Sequence, residues 1–334
     1  MSATATHPAA ERWLELCGVA GRQPPRIETI KAKKKSSVYR LIGARPDGGA
    51  VIAKRTRRPK ALVEQVLYEE VLPHIAVPSL RWYGQVEEPE ATPAGHFCWL
   101  FLEDIGDERY SPFSASQRQL VAAWLGELHA SAPDLSGPDR LPDRGPDHYW
   151  TYVERALELA PRMARDARIP EAARPTFEAV AALLEIVASR WADVEATSKR
   201  FPRTVVHGDF LAKNVHVRHG RSGEEVVAFD WGNAGWGLPA TDLGQSALPC
   251  RGRLPSAPDF GAYLEAVRGR GVDFDLDDVR ELANLGQLFW AVTVVARELP
   301  GLEDGWASVD KVSANVRAYR GVLAEAVRRA GWTA

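Results

Sequence analysis

Apolar and polar positions alternate most clearly between Val205 and Asn233, and the pattern there predicts a β-hairpin. The apolar run Thr204–Val206 reads as a strand delivering His207, Gly208 and Asp209. Val215 and Val217 alternate with polar neighbours in a second short strand. The polar, glycine-bearing His219–Gly223 suits a turn, and Val226–Phe229 reads as the returning strand. A hairpin brings its two ends together, so Asp209 and Asn214 at the entrance and Asp230 at the exit are expected to converge.

Upstream, the pattern is mostly of strands. Residues 1–10 are small and polar and read as a disordered start, and Glu11–Val19 as a short helix. Arg26–Ile42 reads as two strands around a polar connection. Pro46-Asp47-Gly48-Gly49 is a turn before the strand Ala50–Lys54. Pro59 starts a helix over Lys60–Leu72 with Val63, Val66, Leu67 and Val71 on one face, and Pro73 stops it. Val77–Val86 and His96–Leu102 read as further strands. Beyond them the period becomes helical. A capping box at Ser114–Gln117 opens a helix that ends in Leu125–Ala130, and helices are expected near His148–Arg165, Glu171–Val194, Ala262–Arg268, Asp277–Arg297 and Ser308–Arg329. The class is α+β, with a sheet-rich domain at 1–103 and a helical one at 104–334.

Length and composition narrow the partners. At 334 residues the chain is long for one core, in keeping with two domains, and 45% apolar with 26% charged residues is ordinary for a soluble protein. A net charge of −2 gives no reason to expect nucleic acid. Cys17, Cys98 and Cys250 are widely spaced with no C-x-x-C, which argues for a reducing cytosol and against a disulfide framework or structural zinc. The start lacks the basic and apolar regions of a signal peptide, and Leu285–Ala296 is too short to span a bilayer. The expectation is a cytoplasmic protein with no membrane partner.

The candidate chemistry lies on the hairpin. His207-Gly208-Asp209, four residues, then Asn214 has the spacing of the protein-kinase H-R-D-x-x-x-x-N, and Asp230-Trp231-Gly232 stands where D-F-G is expected. With Gly in place of Arg and Trp after the second Asp, the stretch resembles the aminoglycoside phosphotransferase and choline kinase families, small-molecule relatives of the protein kinases. The resemblance covers roughly Ile27–Leu243 and implies a two-lobed protein kinase-like fold, with nucleotide bound by the N-terminal lobe and ATP or GTP as co-substrate. It implies Asp209 as the base for an acceptor hydroxyl, and Asn214 and Asp230 as the holders of Mg²⁺. Lys54, ending an apolar strand, is similar to the V-A-I-K lysine that grips phosphate. Glu64 in E-Q-V-L-Y matches the family's E-x-x-x-Y and is preferred to Glu69 and Glu70 as its partner. Glu103 and Ile105, after the strand F-C-W-L-F-L, resemble the inter-lobe hinge and are candidates to meet the base through main-chain atoms. Lys31, Lys33, Lys34, Lys35, Ser36 and Ser37 would set cations and hydroxyls against the phosphates, although Ala32 and Lys33 stand where relatives often have glycine. The phrase Gly237–Leu243 matches the family's G-D-P-x-x-D-L except at Leu238, and its Asp242 is expected to tie down the catalytic loop.

Only Gly232–Pro239 separates Asp230 from the next element, and no A-P-E follows, so a peptide platform is not expected. A small hydroxylated acceptor is the better reading. Asp143, Asp147, Glu154, Asp273, Asp275, Asp277 and Asp278 would suit a cationic one such as an aminoglycoside, and Trp150 and Trp236 could stack on it; each also reads as ordinary surface or core. Three rival readings are a nucleotide-binding pseudoenzyme acting as an interaction partner, a metal-dependent phosphoesterase using His207, Asp209, Asn214, His216 and Asp230, and, within the kinase reading, a metabolite kinase for choline, homoserine, a sugar or a biosynthetic intermediate in place of a resistance enzyme. The motifs leave open the acceptor, ATP against GTP, and the oligomeric state.

Overall fold

A computed structural model describes residues 7–19, 23–33, 36–92, 95–131, 138–220, 223–246, 248, 258–305 and 307–332. In chain order the elements are α1 (Pro8–Leu16), β1 (Arg26–Lys33), β2 (Ser36–Ile42), β3 (Val51–Arg57), α2 (Arg58–Val66), β4 (Trp82–Glu87) and β5 (Phe97–Glu103). Next come α3 (Ala115–Ser131), β6 (Asp143–Arg144), α4 (Pro146–Arg165), α5 (Arg174–Ser189), α6 (Trp191–Lys199), β7 (Thr204–Val206), β8 (Val215–Gly220) and β9 (Gly223–Ala228). The chain finishes with β10 (Gly235–Gly237), α7 (Ala240–Ser246), α8 (Phe260–Gly269), α9 (Leu276–Glu303) and α10 (Val309–Arg329). They form two compact units: Met1–Tyr110 with Ala212–Ala234, and Ser111–Leu211 with Gly235–Ala334. The β8–β9 hairpin groups with the first unit, whereas the division expected from the sequence left it with the second.

The first unit is built on an antiparallel sheet of order β1-β2-β3-β5-β4. Period-two alternation assigns the faces of β3. Val51 and Ala53 join Trp99 and Phe101 of β5 in a cluster closed by Ala9 and Trp13 of α1. Trp13 also donates from its indole to the Ala44 carbonyl at 3.1 Å. Lys54 pairs with Leu100 across the ladder and so shares the opposite face, where Leu100 and Cys98 pack against Ala61 of α2. The expected disorder of residues 1–10 therefore fails from His7 onward: His7 caps α1 by accepting from the Ala9 amide, and Ala9 and Ala10 are fully buried. The strand expected at Val77–Val86 begins only at Trp82, because Pro78 has no amide to give a ladder. The helix expected over Lys60–Leu72 is α2, then a wider π-turn at Leu67–Val71 and a tight turn at Leu72–His74 around Pro73.

The second unit is mainly helical. α9 packs against α4, α7, α8 and α10, and is buried along most of its length. Asp275 caps α9 by accepting from the Asp277 and Asp278 amides, while Asp278 reaches back to the Asp275 amide. The box expected at Ser114–Gln117 is only half made: Ser114 Oγ accepts from the Gln117 amide, but the Gln117 side-chain Oε1 is taken by the Ser111 amide. The single helix expected over Glu171–Val194 is two, α5 and α6, broken at Arg190. A small sheet of order β6-β10-β7 leads into the Asp209 loop.

Candidate active site

In the first unit, a cleft of about 370 Å³ opens on the Lys54 face of the sheet. It is lined by Ser36, Lys54, Glu103, Ile105, Asn214 and Asp230, six of the residues singled out from the sequence. Apolar walls come from Val38, Ile52, Leu80, Leu102 and Phe229. The lining combines apolar walls with charged and polar groups, the composition expected of a site for a ring joined to a charged group.

The charged groups around Lys54 are organised by its ion pairs. Lys54 Nζ donates to Glu64 Oε1 at 2.6 Å and to Asp230 Oδ1 at 2.5 Å. Glu64 is wholly buried on α2, while Glu69 and Glu70 are exposed and Glu69 accepts instead from Gln65 and Trp82. Burial works to lower the Lys54 pKa, but the Glu64 and Asp230 carboxylates outweigh it and hold the ammonium above the usual lysine range. Lys54 is therefore charged at any working pH. Asp230 adopts a left-handed backbone (φ +66°), the one non-glycine residue described that does so. Asp and Asn tolerate that region better than other side chains, and the turn it makes ends β9 and aims the carboxylate at Lys54.

Asn214 and Asp230 are drawn to one cleft by the β8–β9 pairing. Val215 faces Ala228 across the ladder, and the Phe229 amide donates to the Asn214 carbonyl at 3.0 Å. Their side chains are hard oxygen donors, which fits Mg²⁺ shared with phosphate oxygens and water. Among the described residues no group of three His, Cys, Asp or Glu could hold a metal ion by itself.

Several residues fall differently from expectation. Ser36, Val38 and Arg40 alternate toward the cleft, so Ser37 turns away, is buried, and donates weakly to the Lys33 carbonyl at 3.4 Å. Lys31 lines the cleft and Lys33 is exposed, while Lys34 and Lys35 lie outside the described residues. The Glu103 amide is engaged by the Arg81 carbonyl, and its carboxylate accepts from the Arg81 amide and from Arg218. Arg40, bonded to Asp104 at 2.7 Å and Asp107 at 2.9 Å, pins the segment after β5 to β2. Lys213, Arg109 and His216 also line the cleft and were not assigned a place in it. Lys213 had a readable signal, being a cation adjoining Asn214 inside the motif.

Asp209 belongs to the second unit, on a loop held from beneath. Asp242 of α7 accepts from the His207 amide at 2.7 Å and the Gly208 amide at 2.9 Å. Gln245 donates to the Gly208 carbonyl at 3.2 Å. Gly208 takes φ +74°, which accounts for glycine where protein kinases carry arginine. His129 bonds Tyr263 at 3.0 Å and Asp242 at 3.3 Å, so it braces Asp242, and Phe210 stacks on Trp124. Asp242 in turn depends on an unusually close helix crossing. A Cβ on Gly286 of α9 would sit 1.7 Å from the Ala240 carbonyl oxygen of α7.

The acidic residues expected to draw a cationic acceptor mostly have structural employment. Asp143 pairs with Arg203, Asp277 with Arg280 and Asp278 with Arg200, and Asp275 caps α9. Trp150 packs against Trp191 with ring centroids 5.1 Å apart.

Residues 27–282 match the model of the phosphotransferase enzyme family APH. No curated protein sequence matches the chain. Similar solved structures include a microcompartment-associated aminopropanol kinase, at TM-score 0.65 and 10% identity over 92% of this chain and 93% of that one. The GDP complex of aminoglycoside 2′-phosphotransferase-IIIa gives 0.61 and 12% over 94% and 97%. An ethanolamine kinase of Plasmodium vivax gives 0.57 and 11% over 91% and 83%. At such identities these likenesses carry the fold, and the family match carries the class. The chain belongs to the APH phosphotransferase enzyme family, small-molecule kinases of the protein kinase-like fold.

Proposed function

We propose that the protein transfers the γ-phosphoryl group of ATP or GTP to a hydroxyl of a small acceptor, an aminoglycoside-like molecule or another amino- and hydroxyl-bearing metabolite. The observation that carries this reading is the pairing of buried Lys54 with buried Glu64 and with Asp230 in the cleft. A lysine kept charged and fixed by a buried carboxylate is prepared for a polyphosphate, and Lys31 and Lys213 add cations to the same cleft. Asn214 and Asp230 would hold Mg²⁺, which when bound neutralises charge on the phosphate oxygens.

Asp209 accepts the hydroxyl proton as the acceptor oxygen bonds to the γ-phosphorus and the bond to the β-phosphate oxygen breaks, releasing nucleoside diphosphate. Its loop, tied to Asp242, supplies the rigidity that positioning requires. The family match and the complete set of Asp209, Asn214, Asp230, Lys54 and Glu64 favour an enzyme over the pseudoenzyme reading. The structural employment of most candidate acids weakens the case for a strongly cationic acceptor and leaves amino alcohols level with aminoglycosides.

The test is Mg²⁺-dependent nucleoside diphosphate release from ATP and GTP across aminoglycosides, amino alcohols, nucleosides and sugars. Acceptor-stimulated release with a phosphorylated product supports the reading. Nucleotide binding without release across the panel favours the pseudoenzyme, and absence of nucleotide binding contradicts the proposal.

A further inference from the structure

One residue of the first unit's cleft has chemistry that the proposed roles do not use. His216 lines the cleft two positions after Asn214, on the strand β8. Its ring packs edge-on against Phe229 with centroids 4.8 Å apart, and its backbone bridges to Arg109. Its Nδ1 is sealed from solvent with no hydrogen-bond partner among the described residues. In a floor shared with Val38, Leu102 and Phe229, a leucine would carry no such cost.

The sealed nitrogen fixes the tautomer. Buried donors without partners are rarer in proteins than under-satisfied acceptors, so Nδ1 is better left as a lone pair and the proton belongs on Nε2. Nε2 is then a donor, the ring nitrogen left to meet whatever fills the cleft. Its place in the cleft follows from the chain: His216 is two residues beyond Asn214, its ring meets Phe229, the residue before Asp230, and its backbone bridges to Arg109 after β5. A nucleotide with its phosphates at Lys54 would carry its sugar and the adjoining base edge over His216.

We infer that His216 is a nucleotide-binding residue whose Nε2–H donates to an acceptor on the sugar edge of the nucleoside, purine N3 or a ribose oxygen. The inference rests on the proposed nucleotide-dependent function. It assigns the residue a contact common to ATP and GTP, so His216 selects for an intact nucleoside rather than between the two bases.

The experiment measures dissociation constants of the full chain for ATP and GTP and for their 3-deaza, 2′-deoxy and 3′-deoxy analogues, in wild type, His216→Leu and His216→Gln. One neutral hydrogen bond amounts to about a three- to tenfold effect. The expected result is that one class of analogue binds wild type weaker by that factor. His216→Leu loses the same factor with the parent nucleotide and shows no further loss with that analogue. His216→Gln, which keeps a donor, recovers part of it, and thermal melting of both variants matches wild type. Equal affinity of wild type for all analogues, or an analogue penalty undiminished in His216→Leu, overturns the inference and leaves the nucleotide reading intact. Failure of wild type to bind either parent nucleotide overturns both.

Discussion

Lys54 and Glu64 are the residues on which the first unit's chemistry and stability meet. A carboxylate with no exposure is tolerated only while its partner is present, and removing one member of a buried pair costs about 3–5 kcal/mol, more than the pair itself contributes. Lys54→Met should therefore lower stability by about 3 kcal/mol, while the double variant Lys54→Met/Glu64→Leu should recover most of it, as read by urea denaturation. Both variants should lose turnover. Unchanged stability of Lys54→Met alone would show that Glu64 is not held by this pair. Much at this scale was readable from sequence. The apolar strand ending at Lys54 and the E-x-x-x-Y phrase suffice to join the two residues. The choice between Ser36 and Ser37 was not readable, because it depends on the β2–β3 register that sets Val38 opposite Lys54, and no local pattern fixes that. His216 was likewise hidden, since a strand histidine looks the same in sequence whether it faces a ligand or a neighbouring ring.

Among the elements, the α7–α9 crossing carries the support for Asp209. Gly244 and Gly286 let the two backbones touch, and α7 in turn brings Asp242 under the His207–Gly208 amides. Gly286→Ala should force the helices apart at a cost of about 2–3 kcal/mol and slow turnover more than it weakens nucleotide binding. Gly321→Ala offers the control: nothing lies near its Cβ position within α10, so the change should stabilise by about 0.5–1 kcal/mol through helix propensity. Thermal melting of the two variants in opposite directions is the expected outcome, and a neutral Gly286→Ala would refute the close crossing. The sequence suggested Asp242's role by resemblance, but the two glycines that position it lie 42 positions apart and have no local signature. Helix termini were legible within a few residues wherever a proline or cap marked them. They were not at Arg190 or at the π-turn after α2, where tertiary packing decides.

For the molecule as a whole, the β8–β9 hairpin makes the first unit discontinuous in sequence: Met1–Tyr110 is completed by Ala212–Ala234. Alternation and turn residues reveal a hairpin, but which body it joins follows from long-range pairing of Asp230 with Lys54 and the packing of α2 on residues 231–233. Global stability should also respond to acid through His148. Burial, then the Arg144 guanidinium, push its imidazole down to about 4, with Asp143 opposing and Arg297 adding to the effect. An unfolded histidine titrates near 6.5, so between roughly 6.5 and 4 the unfolded chain holds the extra proton. The stabilisation is complete above that window and is lost as pH falls through it. Allowing for partial exposure, the loss is about 1–2 kcal/mol between pH 7 and pH 4. His148→Gln should flatten that part of the stability profile, and an unchanged slope would contradict the assignment.

The measurement that bears most directly on the account is the comparison of Asp209→Asn with wild type on whichever acceptor gives turnover, with nucleotide dissociation constants determined in parallel. If Asp209 takes the acceptor proton while nucleotide is held by Lys54 and its partners, turnover should fall by about 10²–10⁴-fold with nucleotide affinity kept within about threefold. Turnover close to wild type, or a loss explained by weakened nucleotide binding, would contradict it.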